Sequence, residues 1–394
     1  MPIYLDHAAT TPLRREVLAA MLPYLGEQFG NPSSAHSFGR AARAALDDAH
    51  EQVAALLGAE AREIVFTSGG TEANNLAIKG AAWAGKALGH RIVSTEIEHH
   101  AVGHVLRYLE KFGFETVEVP VDRYGRVDPD HVDGAINDRT ILVSVMLANN
   151  EVGTIQRIAD IVERVRRHRG VLVHVDAVQA APHVPIDVGA LGVDLLSIAA
   201  HKFEGPKGIG ALYVRHGTHI LGQQQGGEQE RHRRAGTENV ASAVGLATAY
   251  GLARAELPGS SRRLTKLRNR LRDAVLAVPD TELTGHPVER LPGLLSIVAR
   301  GTDGTAVALA LDLEGIAVSV GSACTTGSTE PSHVLAAMGF PPDEARGALR
   351  TSLGRTTTEA EIETAIEAIP RTLRAMREGE ASVVADPLGA MAIP

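Results

Sequence analysis

Short apolar runs alternate with longer amphipathic stretches along the central part of the chain. A strand that is buried on both faces is continuously apolar, whereas a covering helix is apolar on one side only. The runs predict strands at 63–67, 91–94, 115–119, 141–146, 171–175, 195–198 and 210–214. The amphipathic stretches predict helices at 71–84, 100–112 and 158–168. Strands and helices in alternation predict an α/β fold with a mostly parallel sheet covered by helices.

The pattern changes at 257–261, where the sequence Leu-Pro-Gly-Ser-Ser interrupts the helical periodicity. Because Pro and Gly disfavour helix interiors, this segment is the predicted boundary between two domains. Beyond it, helices and strands of a smaller α+β unit are predicted at 262–278, 294–298, 305–313, 317–320 and 359–377. We expect Pro370 to kink or divide the last helix. The predicted large domain is 12–255, and the small domain combines 1–11 with 256–394.

Composition narrows the class of protein. Of the 394 residues, 44% are hydrophobic and 22% are charged, which is typical of a globular protein rather than a disordered or fibrous one. No apolar run reaches the ~18 residues that cross a bilayer, and we recognise no secretory signal at the N-terminus. Together with a single cysteine, these features predict a cytoplasmic protein. The net charge of −8 argues against direct nucleic-acid binding and leaves room only for a local basic patch.

The one cysteine, Cys324, lies within Gly-Ser-Ala-Cys-Thr-Thr-Gly-Ser at 321–328. A lone thiol makes no internal disulfide and builds no zinc or iron–sulfur site by itself. The small, glycine-rich flanks favour an exposed loop in which a thiol reacts. A free cysteine is, however, commonly a small buried residue. The local sequence therefore leaves a reactive and a structural interpretation open.

A glycine-containing segment joins the first predicted strand to its helix. It passes through Gly69 and Gly70 to Thr71, so that exposed backbone N–H groups and the Thr71 hydroxyl would favour an anion such as phosphate. A plain helix cap by Ser68 or Thr71 is the alternative. The spacing is neither GxGxxG nor that of a Walker loop, which disfavours dinucleotides and nucleoside triphosphates.

Two further strands end in residues suited to a pyridine cofactor. Asp176 closes an apolar strand, where an anionic carboxylate could pair with a protonated ring nitrogen or simply cap a helix. Lys202 follows His201 at the end of the next strand, where partial burial near other cations would favour Schiff-base chemistry. Lys207, in a glycine-rich loop, is the rival lysine. Either lysine could also be an ordinary solvated side chain.

These three segments, in this order, resemble the fold-type I enzymes that depend on pyridoxal 5′-phosphate (PLP), in particular cysteine desulfurases of the NifS/IscS family. The resemblance runs from Tyr-Leu-Asp-His-Ala-Ala-Thr-Thr at 4–11 to Ser-Leu-Gly-Arg-Thr-Thr at 352–357, and so covers nearly the whole chain. It includes Asn-Pro-Ser-Ser at 31–34, Asn-Asn-Glu-Val-Gly at 149–153 and Gly-Ser-Ala-Cys at 321–324.

The resemblance implies a role for each matching residue. Lys202 is the implied PLP-binding lysine, Asp176 the partner of the pyridine nitrogen, and Gln179 the partner of the ring hydroxyl oxygen. His99 is expected to stack on the ring and to move protons. Cys324 is expected to receive the substrate sulfur as a persulfide.

Other implied roles concern the phosphate and the substrate. Thr71, next to Gly70, and His201 match phosphate ligands, and Thr237 matches a phosphate ligand from a second subunit, which implies a homodimer with shared sites. Asn150 is expected beside the cofactor and substrate. Arg350 matches the clamp of the substrate carboxylate, a task that suits a planar guanidinium.

The chain departs from its relatives at Ala199, where many carry a Ser or Thr that donates to the phosphate. We expect the loss of at most one side-chain hydrogen bond to the cofactor. A metal site at His99, His100 and His104 is disfavoured, because the residues between the last two include no glutamate that could act as a base. The basic run at 231–234 is expected to border the subunit interface rather than to bind nucleic acid.

The leading hypothesis is thus a cysteine desulfurase that converts L-cysteine to L-alanine and passes persulfide sulfur to an iron–sulfur scaffold or a tRNA-thiolation enzyme. Another PLP enzyme on the same scaffold, such as a selenocysteine lyase, an aminotransferase or an epimerase, is the second. A non-catalytic scaffold or sulfur-carrier partner is the third, and the presence of Lys202, Asp176, His99 and Arg350 disfavours it. The Gly, Ser and Thr content of 319–330 further predicts a mobile loop around Cys324.

Overall fold

The structure is a computed structural model that describes residues 2–320 and 332–379. The strands are Ile3–Tyr4 (β1), Ile64–Thr67 (β2), Arg91–Thr95 (β3), Glu115–Val119 (β4), Thr140–Met146 (β5), Leu172–Asp176 (β6), Leu195–Ala199 (β7), Gly210–Val214 (β8), Thr281–Leu283 (β9), Leu294–Ala299 (β10), Ile316–Ala317 (β11) and Ala348–Ser352 (β12). The helices are Arg15–Leu25 (α1), Ser37–Leu57 (α2), Gly70–Gly85 (α3), His100–Glu110 (α4), Pro129–Ala135 (α5), Ile158–Val165 (α6), Val188–Leu191 (α7), Val240–Leu276 (α8), Gly304–Leu313 (α9), His333–Ala337 (α10), Pro342–Ala345 (α11) and Glu359–Glu378 (α12).

The central sheet has seven strands in the order β2-β8-β7-β6-β5-β3-β4. Only β8 runs antiparallel to its neighbours, β2 and β7, and the remaining pairs are parallel. The carboxyl ends of β2, β3, β5, β6 and β7 therefore meet at one edge of the sheet. Each strand predicted in the large unit overlaps an observed strand, and the predicted α/β class with a mostly parallel sheet is confirmed.

A smaller sheet lies beyond this unit. It is antiparallel in the order β12-β10-β9, and β1 pairs in parallel with β11. The predicted strand at 317–320 is wrong in extent, because β11 covers only Ile316–Ala317. Past it, a single bridge joins Ser319 to Arg350 in β12. The N-terminal segment, although first in the chain, thus lies beside the C-terminal strands β11 and β12.

The expectation that 257–261 breaks the helical pattern is wrong. These residues lie inside α8, which contains Pro258 and continues to Leu276. Pro258 is exposed, so its ring meets solvent, and burial of the apolar side of α8 outweighs the ~3 kcal/mol that a helix-interior proline costs. Pro370 likewise does not divide α12.

The first and last parts of α8 pack against different hydrophobic clusters. Leu246 and Tyr250 pack in the cluster around the central sheet. Leu264 and Leu271 pack in a second cluster with β10, β12 and α12. This change of partner supports a boundary in this stretch, and the division into 12–255 and the remainder stays a prediction.

Candidate active site

A cavity of about 350 Å³ opens at the carboxyl edge of the central sheet. Apart from Thr237 and Cys324, every site residue predicted from the sequence lines it: Gly70, Thr71, His99, Asn150, Asp176, Gln179, His201, Lys202 and Arg350. Thr237 lines a separate cavity of about 180 Å³ together with Ser68 and Arg234. Cys324 and its predicted mobile loop lie outside the described residues, apart from Ser319 and Val320 at the loop's start. The sheet topology therefore brings together residues that are far apart in sequence.

One wall of the cavity is the start of α3. Gly70 is the first residue of this helix, where unpaired N–H groups and the helix dipole favour an anion. A Cβ added at Gly70 would lie 2.6 Å from Val178 Cγ2, so only glycine fits between the two elements without a shift. Thr71 is exposed at the same helix end. This wall has the character of an anion-binding surface.

Asp176 ends β6 and is buried beside the cavity. Its Oδ2 accepts a hydrogen bond of 2.6 Å from Asn74 Nδ2, and its Oδ1 accepts one of 2.9 Å from the Val178 backbone N–H. Both donors are neutral, so they stabilise the carboxylate without cancelling its charge. Sequence reasoning missed Asn74. Its position one turn after Gly70, on the same face of α3, was the available signal.

Lys202 follows β7 in a short 3₁₀ turn, Ala200–Lys202. Its Nζ donates to the backbone oxygens of Ala8 (2.5 Å) and Ala9 (3.2 Å). His201 Nδ1 lies 3.2 Å from Thr10 Oγ1. Burial, and then the charges of Lys202 and Lys207, lower the pKa of His201 to about 4. His201 is therefore neutral near pH 7 and can offer a ring nitrogen as a hydrogen-bond donor.

His99 is the N-cap of α4, and its Nδ1 accepts a 3.0 Å hydrogen bond from the Ala101 backbone N–H. Burial lowers the pKa of His99; the Asp176 carboxylate opposes this shift, and Lys202 adds to it. Because Nδ1 is the acceptor, the neutral ring carries its proton on Nε2. The imidazole is thus held in one tautomer at the cavity wall.

Glu98 is a second residue that sequence reasoning missed. Its Oε1 accepts hydrogen bonds from Thr95 Oγ1 (2.7 Å) and from the Met146 N–H (2.9 Å). Burial raises the pKa of Glu98 to about 8, and these hydrogen bonds oppose the shift. A protonated Glu98 adds no second negative charge behind the cavity at neutral pH. No sequence pattern indicated this, because the burial of Glu98 depends on its contacts with the ends of two strands that are distant in sequence, β3 and β5.

Arg350 lies in β12 and is only 1% exposed. Its Nη1 donates to the Asn150 backbone oxygen (2.9 Å) and its Nη2 to Asp6 Oδ1 (2.8 Å). The small sheet thus places the buried Arg350 guanidinium at the cavity that lies at the edge of the large sheet. A cation here can bind a carboxylate.

Two of the histidines considered as metal ligands, His100 and His104, have their imidazole rings close together, and the His333 ring lies beside that of His100. The centroids of His100 and His104 lie 4.8 Å apart, and those of His100 and His333 lie 5.0 Å apart. Over residues 2–320 and 332–379, no group of three or more His, Cys, Asp or Glu side chains is arranged to hold a metal ion. Within the same ranges, no helix is long and apolar enough to cross a membrane.

Comparison with known proteins places this geometry in a family. The model of the aminotransferase class-V family matches residues 3–364. A cysteine desulfurase IscS from Methanosarcina thermophila is 50% identical over 375 residues, which are 95% of this chain and 93% of the relative. A cysteine desulfurase IscS from Dictyoglomus turgidum is 48% identical over 376 residues, 95% of each chain.

Solved structures agree with these sequence matches. A NifS-like protein superposes with a TM-score of 0.90 at 37% identity, covering 95% of this chain and 100% of the other. The structure described as SspA in complex with cysteine gives 0.80 at 34% identity, covering 89% and 98%. The fold is that of the fold-type I PLP-dependent transferases. Within the class-V aminotransferases, the chain belongs to the cysteine desulfurase family.

Proposed function

We propose that this protein uses PLP to convert L-cysteine to L-alanine and leaves the sulfur as a persulfide on Cys324. The observation that carries the proposal is the convergence of Lys202, Asp176, His99 and Arg350 on one cavity. The overall change balances: cysteine and the Cys324 thiol give alanine and the Cys324 persulfide. One carbon–sulfur bond breaks, one sulfur–sulfur bond forms, and no external oxidant or reductant is needed.

The residues of the cavity fit PLP. The anion-binding start of α3, with Gly70 and Thr71, suits a phosphate, as does the neutral His201. The buried Gln179 Oε1 has no hydrogen-bond partner in the part of the chain that the structure describes, and Gln179 lines the cavity. An unpaired buried polar atom at such a place indicates a group that completes its hydrogen bonds. Asp176 supplies the anion that a pyridinium nitrogen requires.

The proposed roles of the chain's own groups follow from their chemistry. Bound PLP supplies an electron-withdrawing ring that stabilises negative charge on the substrate carbon. Arg350, with Asn150 at its side, holds the substrate carboxylate. Lys202 Nζ removes the α-proton, and neutral His99, whose proton is on Nε2, donates a hydrogen bond from that nitrogen into the site. The Cys324 thiolate accepts the substrate sulfur.

A homodimer with shared sites is part of the proposal. Thr237 lies away from the main cavity, as a residue that serves another subunit's phosphate would. Exposed apolar side chains on and after α1 offer a contact surface: Leu18, Leu22, Leu25, Phe29 and Phe38. The Phe29 and Phe38 rings are stacked, with centroids 5.5 Å apart. A patch of this kind is typical of a protein interface.

The sulfur acceptor is a second protein, either an iron–sulfur scaffold or a tRNA-thiolation enzyme. To pass on its sulfur, Cys324 must reach this acceptor protein once the persulfide has formed. The single cysteine in the sequence fits a reducing cytoplasm, where such transfer takes place.

The test is the release of alanine and sulfide from L-cysteine, with a reductant present, by the wild type and by Cys324→Ser. We expect both products from the wild type and loss of sulfide release in the variant. Lys202→Ala should bind substrate without turnover. Equal sulfide release by the wild type and Cys324→Ser would instead identify a PLP lyase that does not use the thiol. Full turnover by Lys202→Ala would contradict its proposed role.

A further inference from the structure

The segment at 4–11 is part of the family resemblance, and the structure places it beside the cavity. Its turn contacts both cations of the cavity. The Asp6 carboxylate accepts from Arg350 Nη2 at 2.8 Å, while the Ala8 and Ala9 backbone oxygens accept from Lys202 Nζ. Ala8 and Ala9 also line the cavity.

The turn is fixed to the strand that carries Arg350. Asp6 bridges to Ser352 in β12, and the Ser352 hydroxyl accepts from the Ala8 N–H at 2.8 Å. Because side chains two residues apart share a face of a strand, Ser352 and Arg350 point to the same side of β12. Tyr4 Oη closes the turn through bonds to the backbone oxygens of Asp6 (2.9 Å) and Thr10 (3.0 Å). The position of the Asp6 carboxylate is therefore determined by the fold.

Arg350 needs such a partner. Its side chain is 2% exposed and that of Asp6 is 19% exposed. Solvent therefore screens the attraction between these two charges less than it screens a surface ion pair. A buried guanidinium without a carboxylate is costly, and a long side chain without fixed acceptors has several rotamers. Asp6 and the Asn150 carbonyl accept from two different nitrogens of one planar group. Together they determine where its remaining N–H groups point.

We infer that Asp6 is a positioning residue for the substrate carboxylate, acting by accepting a hydrogen bond that holds Arg350 in its binding orientation. The inference rests on the proposed function, in which Arg350 is the carboxylate clamp. Asp6 touches neither substrate nor cofactor in this role. Its effect should therefore be on substrate binding and not on the chemical step.

The test compares Asp6→Ala, Asp6→Asn and Arg350→Gln in the PLP-loaded enzyme. A hydrogen bond to a charged group gives an expected rise of about 10- to 100-fold in KM for cysteine in Asp6→Ala, with kcat within about twofold. Asp6→Asn keeps an oxygen acceptor but loses the charge, so its KM should lie between those of the wild type and Asp6→Ala. Binding of L-alanine, followed by the absorbance of bound PLP, should weaken in parallel without any turnover. Asp130→Ala, which removes an exposed pair with Arg164, is the matched control.

Each other result has a definite meaning. A normal KM in Asp6→Ala, with a raised KM in Arg350→Gln, would overturn the inference and leave the proposed function intact. Normal KM values in both would overturn the clamp assignment as well. An Asp6→Asn enzyme as impaired as Asp6→Ala would overturn the hydrogen-bonding role, as would a fall in kcat alone. Melting temperatures of the PLP-free variants separate these effects from unfolding: a raised KM in Asp6→Ala with a melting temperature near that of the wild type supports positioning, and a KM rise that only accompanies partial unfolding overturns it.

Discussion

The Asn74 carboxamide donates a 2.6 Å hydrogen bond to the Asp176 carboxylate, across 102 positions of sequence. The two residues come from the first turns of α3 and the end of β6, which are also the predicted phosphate and pyridine sides of the cavity. One contact thus couples two parts of the proposed cofactor site. It also explains how Asp176, although buried, keeps a defined orientation.

Replacement of Asn74 should weaken PLP binding. Asn74→Ala removes a hydrogen bond to a charged group, which is worth ~1.5–3 kcal/mol, so we expect roughly a 10- to 100-fold rise in Kd for PLP. Titration of PLP-free protein, followed by absorbance, measures it. Asn75→Ala is the control, because the Asn75 amide donates to the Thr71 backbone oxygen rather than to Asp176. Equal affinities in the wild type and Asn74→Ala would show that this contact does not support the cofactor.

Ala199→Ser should strengthen PLP binding. Ala199 is fully buried and lines the cavity, so a hydroxyl there can reach a phosphate bound at the start of α3. One added hydrogen bond is worth on the order of 1 kcal/mol, or about a fivefold lower Kd. The same titration measures the change. An unchanged Kd would count against a phosphate at this wall.

Gly70→Ala should reduce PLP affinity through a steric effect. The added Cβ would lie 2.6 Å from Val178 Cγ2, and Val178 in turn donates through its N–H to Asp176. Overpacking of this kind costs ~1–3 kcal/mol. The double variant Gly70→Ala with Val178→Ala should recover affinity. Gly134→Ala, whose Cβ would meet open space, serves as the control. Failure of the double variant to improve on Gly70→Ala would rule out this clash as the cause.

The stability of Glu98→Gln relative to the wild type should increase as pH rises. Burial raises the pKa of Glu98 to about 8 in the folded protein, against 4.5 ordinarily. Between these values the folded state binds the extra proton, so wild-type stability falls as pH rises through this window, by at most about 1.4 kcal/mol per pH unit. The glutamine side chain of the variant does not titrate and retains an oxygen acceptor. The melting-temperature difference, variant minus wild type, should therefore grow from pH 5 to pH 8. A difference that is constant with pH would contradict the shifted pKa.

Local pattern was sufficient for much of the fold. Apolar runs predicted the strands of the central sheet because strands buried on both faces leave a continuous apolar signature. The same logic placed Asp176 and Lys202 at strand ends, and parallel strands bring such ends to one edge. Proline misled the prediction at 257–261, since a helix that packs on two cores tolerates one exposed proline.

What the sequence by itself determined was the chemistry available: an aspartate, a lysine and a glycine at the ends of separate strands, one cysteine, and an arginine near the C-terminus. Tertiary structure decided which partners those groups have. Asp6 meets Arg350 across 344 positions because β1 pairs with β11 and the chain then bridges to β12. Pairings of this range depend on how the sheets form and which faces they bury. A local pattern carries no information about them, because periodicity reports burial but not the neighbour that provides it.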